Sequence, residues 1–303
     1  MVPNSIFLIL VSSIFHAFWN ILTQTSNNAQ FFSGLKGIWI IALAAAYFLI
    51  TVYPSRISLE LYYWALLSGL FHGFYILSLS RAYNTQDISY VYPIARSAPV
   101  FVPFFAWLLL GERLSPIIFL AIGIIVIAIY ILHFEGRLVQ GFKKLFQAIA
   151  HNDLRWSFIT LALVVIYSLV DKRAMDMFIL HFPNQPFANG ITFFFLEATV
   201  GFTLCNGYLF VKHSPYEIMK TWKKEWCKGL LAAIATLISY GLICVVLQFE
   251  PLSPIVSLRQ VSVLLVVYWG CWKLGEPYGR QRLSAGFLII MAIMVISIGG
   301  GKG

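Results

Sequence analysis

Charge is scarce in this chain. Only 11% of its 303 residues are Asp, Glu, Lys or Arg, less than half the roughly 25% of a soluble domain. With 60% hydrophobic and 17% aromatic residues, the deficit excludes a water-soluble globule and leaves a polytopic membrane protein. Acids are scarcer still, 12 Asp and Glu against 21 Lys and Arg, for a net charge of +9. That excess does not point to nucleic acid. The lysines fall in loops between apolar runs, where phospholipid headgroups are the nearer anions. The cysteines (Cys205, Cys227, Cys244 and Cys271) form no CxxC pair and no ligand spacing, so neither a metal site nor a disulfide framework is expected. HExxH, GxSxG, Walker A and GxGxxG are all absent, and with them the usual local signatures of hydrolases, nucleotide-driven pumps and dinucleotide enzymes. The glycine-rich tail IGGGKG (298–303) follows no strand and opens no helix, so it is not a phosphate loop. No cofactor is expected.

What is present is a succession of apolar runs of about 20 residues, the length that crosses a bilayer core as a helix. They predict about ten spans: 4–23, 33–52, 61–82, 88–110, 114–133, 156–174, 189–211, 229–248, 254–274 and 281–299. Residues 6–15 imitate a signal peptide. Their flank has no basic residue, however, and the run flows into His16–Asn20 without a small-x-small cleavage site, so they read as the first span.

The spans repeat. LLLGERLSPIIFLAIGIIVIAIY (108–130) has a counterpart in CWKLGEPYGRQRLSAGFLIIMAIMVI (271–296). Glu112 and Glu276 are 164 residues apart, and the same shift pairs SYVYPIARSAPV (89–100) with SPIVSLRQVSVL (253–264). A shift of about 151 sets HAFWN (16–20) on YSLVD (167–171). The reading is an all-α membrane protein of about ten helices in two five-helix halves, 1–133 and 154–303, joined by an amphipathic loop over 134–153. Five is odd, so the second half enters from the opposite side. Such an inverted repeat is a common plan of secondary transporters.

LVQGFKKLFQAIA (138–150) and YEIMKTWKKEWCKG (216–229) carry apolar faces and read as helices lying at a headgroup surface. Fourteen Lys and Arg fall on the face of the odd-numbered loops and five on the face that carries both termini, which by the positive-inside rule places the termini outside.

Ionisable groups inside spans are the informative residues, because each is costly in hydrocarbon unless it meets water or a partner. Arg96 lies in span four beside Pro93, Pro99 and Pro103. Arg259 lies in span nine, at the position the repeat maps to 95. Two guanidiniums at equivalent places could hold a carboxylate, phosphate or phosphonate by bidentate hydrogen bonds. Alternatively, each could cap carbonyls freed by proline or brace a buried acid. His16, Asn20, Tyr92, Tyr167 and Gln260 would complete a polar wall, and Tyr75 and Tyr240 either line it or pack. Asp171 is either paired locally with Lys172 and Arg173 at the interface, or a buried proton carrier or counter-ion. Glu197 is a second buried acid, read as the partner of Lys36. His72, within GLFHG, reads as a packing residue, and Glu112 and Glu276 as orienting loops.

HAFWN, RAYNTQDISYVYPIARSAPV, LLLGERLS, YSLVD and LRQVSVLL together resemble the EamA family of the drug/metabolite transporter superfamily, over essentially the whole chain. GERLS is widespread in that superfamily, whereas VYPIAR and HAFWN are more specific. The resemblance implies ten helices in two inverted halves, with a central cavity lined by spans one, three, four, six, eight and nine. It also implies secondary transport of small metabolites, often export. The chain departs from the pattern at Gln260, where similar sequences often carry an acid. The family is usually drawn with both termini cytoplasmic, against the charge count, so the side stays open.

The expected function is therefore alternating-access transport of a small polar metabolite, anionic or zwitterionic, across a bacterial inner membrane. The partners are that metabolite and the membrane lipids, and both monomer and homodimer stay open. An intramembrane lipid-modifying enzyme is the alternative, and a channel comes third.

Overall fold

A computed structural model describes residues 1, 3–51, 57–85, 94–95, 97–133, 139–141, 143, 154–262 and short stretches between 265 and 295. Among these, the helices in chain order are α1 (Pro3–Gln24), α2 (Ala29–Ile50), α3 (Leu59–Thr85), α4 (Ala98–Leu110), α5 (Pro116–His133), α6 (Arg155–His181), α7 (Pro186–Lys212), α8 (Pro215–Leu247) and α9 (Leu252–Leu258). No strand occurs among the described residues.

Local chemistry sets the helix ends. The Asn28 side chain accepts from the N–H groups of Gln30 and Phe31, both at 3.0 Å, and so starts α2. Pro99 sits in the first turn of α4, where its missing N–H leaves no gap. Gly111 ends that helix with φ of 70°, and its N–H and that of Glu112 both donate to the Ala106 carbonyl. The LLLGERLS end thus closes on a left-handed glycine cap.

Among the described residues, four helices are long and apolar enough to cross a membrane: Asn4–Thr23, Ala29–Ile50, Pro186–Lys212 and Pro215–Leu247. Two shorter apolar helices, Ala98–Leu110 and Pro116–Ala128, accompany them. α3 and α6 are 27 residues each, ample in length but too polar to join the four; they carry His72 and Asp171. The tenth predicted span, 281–299, lies largely outside the described residues, as does most of the loop at 134–153.

One expectation is corrected. Residues 216–229 are not a separate helix lying on the surface. They form the first turns of α8, a continuous helix of 33 residues and therefore about 50 Å long, against a hydrocarbon core of about 30 Å. Trp222 explains the continuity: it is buried and donates from Nε1 to the Phe31 carbonyl at 2.7 Å. Of the aromatic face that reads as lipid-seeking, Trp222 is packed on α2, while Trp226 stays exposed beside Trp39.

The chain divides into two compact units, one of Met1–Ser13, Ser78–Leu169 and Glu250–Gly303, the other of Ile14–Leu77 and Val170–Phe249. Each takes pieces from both sequence halves.

In the second unit α2, α7 and α8 pack together. Phe31, Leu35, Leu209, Ile218 and Trp222 form a buried cluster. α2 and α7 are antiparallel: Gly34 meets Leu209 and Asn206, Gly37 meets Phe202, and Tyr47 bonds Thr192 at 2.8 Å. α3 and α7 run parallel and very close, because Gly69, Gly73 and Gly201 present no side chains to the seam.

In the first unit α4, α5 and α9 pack together. Glu112 accepts from the N–H of Leu252 and from both the N–H (3.3 Å) and the hydroxyl (2.8 Å) of Ser253, which starts α9. This gives the expected orienting role of Glu112 a specific target. Two helix interruptions fall at nearly equivalent places in the sequence repeat. Residues 94–95 are helical but Ser97 is not, and α9 gives way to a turn at Arg259–Gln260 before helix resumes at 261–262.

Candidate functional site

The second unit holds the largest concentration of buried polar chemistry among the described residues. Asp171 of α6 is fully buried. Its two carboxylate oxygens accept from different helices, one from the Ser68 hydroxyl of α3 and the other from the Tyr240 hydroxyl of α8. Local pairing is not its role. Lys172 turns away, donating to Asp176 at 2.6 Å and to the Leu247 carbonyl at 2.8 Å, near the end of α8 where carbonyls lack helical partners.

His72 extends the network. Its Nδ1 lies 2.8 Å from Glu197 Oε2 and 3.2 Å from both the Ser68 hydroxyl and the Ser68 carbonyl. A carbonyl and a carboxylate only accept, so Nδ1 carries a hydrogen. The Ser68 hydroxyl donates to Asp171 and lies beside the same Nδ1. The His72 ring also meets Tyr240 edge-on, with centroids 5.4 Å apart. Two carboxylates, an imidazole, a serine and a tyrosine, contributed by α3, α6, α7 and α8, thus form one connected cluster.

This overturns two expectations. His72 is not merely a packing residue, and Glu197 pairs with His72 rather than with Lys36. The cause is helix register. Gly69 and Gly73 let α3 approach α7 closely, which brings His72 level with Glu197. In the α2–α7 pair, Lys36 lies near Phe202 instead. Its Nζ sits 3.7 Å above the Trp19 ring centre and 5.5 Å from that of Phe202.

The other anticipated residues are placed as follows. His16, half-buried in α1, stacks edge-on against Trp19 at 5.0 Å. Asn20 donates to the His16 carbonyl at 2.6 Å. Tyr75 is half-buried in α3. These residues share the second unit with the cluster, whereas Tyr167, Arg259 and Gln260 belong to the first. Tyr167 is buried. The half-buried Arg259 lies in the turn after α9, and its carbonyl accepts from the N–H and the hydroxyl of Ser262. Gln260 is buried, with Nε2 donating to the Val256 carbonyl at 3.3 Å and Oε1 unpaired among the described residues. Arg96 and Tyr92 lie outside the described residues. No cluster of three or more His, Cys, Asp or Glu suited to a metal ion occurs among the described residues.

Residues 3–134 match the model of the EamA-like transporter family, part of the drug/metabolite transporter superfamily. Over these residues the chain is similar to EamA-like transporters. Together with its apolar helices, this makes it a multi-pass integral membrane protein. Comparison with curated proteins gave no match. A protein of known crystal structure superposes with a TM-score of 0.71 over 98% of each chain at 12% identity. At that identity the likeness shows a shared fold and nothing of the substrate.

Of this cluster, the sequence singled out Asp171, Glu197 and Tyr240 but not the connection among them. The signal for His72 was present in GLFHG. Two glycines four residues apart mark a close helix contact, and a histidine on that face meets whatever the neighbouring helix presents.

Proposed function

We propose that this protein is a secondary transporter of a small polar, anionic or zwitterionic metabolite. In this reading the Asp171–Ser68–His72–Glu197–Tyr240 cluster is its coupling centre. The single observation behind it is that two buried carboxylates, Asp171 and Glu197, are linked through Ser68 and the one imidazole of His72. If both carboxylates are ionised, at least one negative charge is left uncompensated, at a cost of several kcal/mol in hydrocarbon. A proton or a cationic substrate group removes that charge. Binding and release of either would therefore favour different helix arrangements, which is what alternating access requires. Two inverted five-helix halves suit this mechanism. Arg96 and Arg259, near the two helix interruptions, would hold the acidic group of the solute. A bacterial inner membrane is the proposed setting.

The test is uptake into proteoliposomes from a mixed metabolite pool, followed by mass spectrometry, with and without an imposed proton gradient. Wild-type protein should accumulate at least one polar acid in response to the gradient. Asp171→Asn should reach the membrane but lose the response. Arg96→Lys should weaken uptake, and Arg96→Leu should abolish it in protein that is still folded. Gradient-driven uptake by a well-folded Asp171→Asn protein would remove the coupling role from this cluster.

A further inference from the structure

Lys36 is 5% exposed, within an apolar helix. Its α2 begins at Ala29, so Lys36 lies about two turns inside the helix. Of the six acids in its own unit, Glu60 and Glu217 are exposed and the other four are engaged elsewhere. Glu197 meets His72, Asp171 accepts from Ser68 and Tyr240, Asp176 pairs with Lys172, and Glu225 accepts from the Asn27 N–H at 3.1 Å. Among the described residues Lys36 has no hydrogen-bond or ion-pair partner; its neighbours are the faces of Trp19 and Phe202 and the buried Cys205 thiol. A cation resting on an indole face is partly stabilised by the ring's quadrupole. The cost of fully desolvating an ammonium considerably exceeds that attraction.

One turn along α7 from Phe202, Asn206 is a second incompletely satisfied polar group. Nδ2 donates to the Phe202 carbonyl at 3.0 Å and to the Gly34 carbonyl at 3.3 Å, while the buried Oδ1 accepts nothing among the described residues. A buried donor set with no acceptor, on an aromatic platform, is half of an ion pair. Trp19 is held for this role by its own neighbours: His16 stacks on it and Asn20 bonds the His16 carbonyl. This gives the HAFWN stretch a physical task.

We infer that Lys36, seated on Trp19, is an anchor for an anionic group, carboxylate or phospho-oxyanion, of a small solute. The inference rests on the transporter reading for its biological meaning, but the site itself can be tested without transport. Three N–H donors on a compact ammonium suit one or two oxyanion oxygens. The Trp19 and Phe202 faces favour a solute with a flat or apolar part beside that group. An acid arriving here supplies the missing counter-charge, so it should bind to and stabilise the folded protein.

The experiment is thermal unfolding of the purified full chain with acid–neutral pairs as probes: benzoate against benzamide, and phenylphosphonate against phenol. Wild-type protein should be stabilised by at least one acid and by neither neutral analogue. Carboxylate and phosphonate arms responding differently would identify the headgroup class. Lys36→Gln should lose the stabilisation or need at least about tenfold more acid, the equivalent of one charge-assisted hydrogen bond. Lys36→Arg should retain it. Lys36→Met tests the alternative that the lysine is structural. An unpartnered ammonium in a membrane is a liability, so without ligand the methionine variant should unfold no earlier than wild type.

Three results would overturn the inference: no acid stabilises wild-type protein, a folded Lys36→Gln protein responds as wild type does, or Lys36→Met unfolds earlier. Proteoliposome uptake separates this from the broader reading. Lys36-dependent acid stabilisation without uptake of any metabolite keeps the site and removes the transporter. Uptake without Lys36-dependent acid stabilisation keeps the transporter and removes the site.

Discussion

Tyr240→Phe is the sharpest probe of the buried cluster, because it removes one hydroxyl and leaves the ring in place. The ring stays edge-on to His72 at 5.4 Å and tilted against Phe194 at 6.3 Å, so little packing is lost. What disappears is the donor to one Asp171 oxygen. Hydrogen bonds between membrane helices average about 0.6 kcal/mol and reach about 1.7 in double-mutant cycles. A carboxylate acceptor places this one toward the upper end, so Tyr240→Phe should cost about 1.5 kcal/mol. In an Asp171→Asn background the acceptor is a neutral amide that can rotate its oxygen toward Ser68. There Tyr240→Phe should cost less than about 0.5 kcal/mol, leaving a coupling of roughly 1 kcal/mol. The assay is reversible unfolding of the four proteins in mixed micelles, followed by circular dichroism. If the two substitutions add to within about 0.3 kcal/mol, the hydroxyl and the carboxylate are not partners, and the four-helix cluster described above is wrong at its centre.

Other substitutions address the frame that holds this site. Gly111→Ala should destabilise by about 1 kcal/mol, since φ of 70° is costly for an L-residue. Open space surrounds the position, so Gly111→Asn, which tolerates that conformation, should recover much of the loss in the same unfolding assay. Glu112→Ala strands the N–H groups of Leu252 and Ser253 together with the Ser253 hydroxyl. A loss of about 1–2 kcal/mol is expected, and Glu112→Gln should keep part of it; equal stability of all three proteins would show that Glu112 does not start α9.

The sequence by itself determined the membrane class, the positions of α1–α3 and α5–α8 to within a few residues at most ends, and the presence of ionisable groups inside them. Its warrant was strong because hydrocarbon imposes a length and a composition on each span independently of any neighbour. It also ended the fourth span at 110, where the structure has the Gly111 cap, because a left-handed helix cap is a local property of backbone sterics.

Partnership was a different matter. Lys36 and Glu197 sit on helices that do pack, and opposite charges made them a natural pair on paper. The antiparallel α2–α7 register instead sets Gly37 against Phe202 and Tyr47 against Thr192, which leaves Glu197 well over a turn from Lys36. The glycine seam of α3 sets His72 there instead. Likewise Asp171 and Lys172 are neighbours in sequence but about 100° apart around α6, so one turns inward to Ser68 and Tyr240 and the other to Asp176. The amphipathic stretch at 216–229 went astray for the same reason: an aromatic face seeks any apolar surface, and only the packed fold offers it α2. Each residue's cost in lipid is local and legible. The partner that offsets it is fixed by helix register, which depends on side chains far away in sequence.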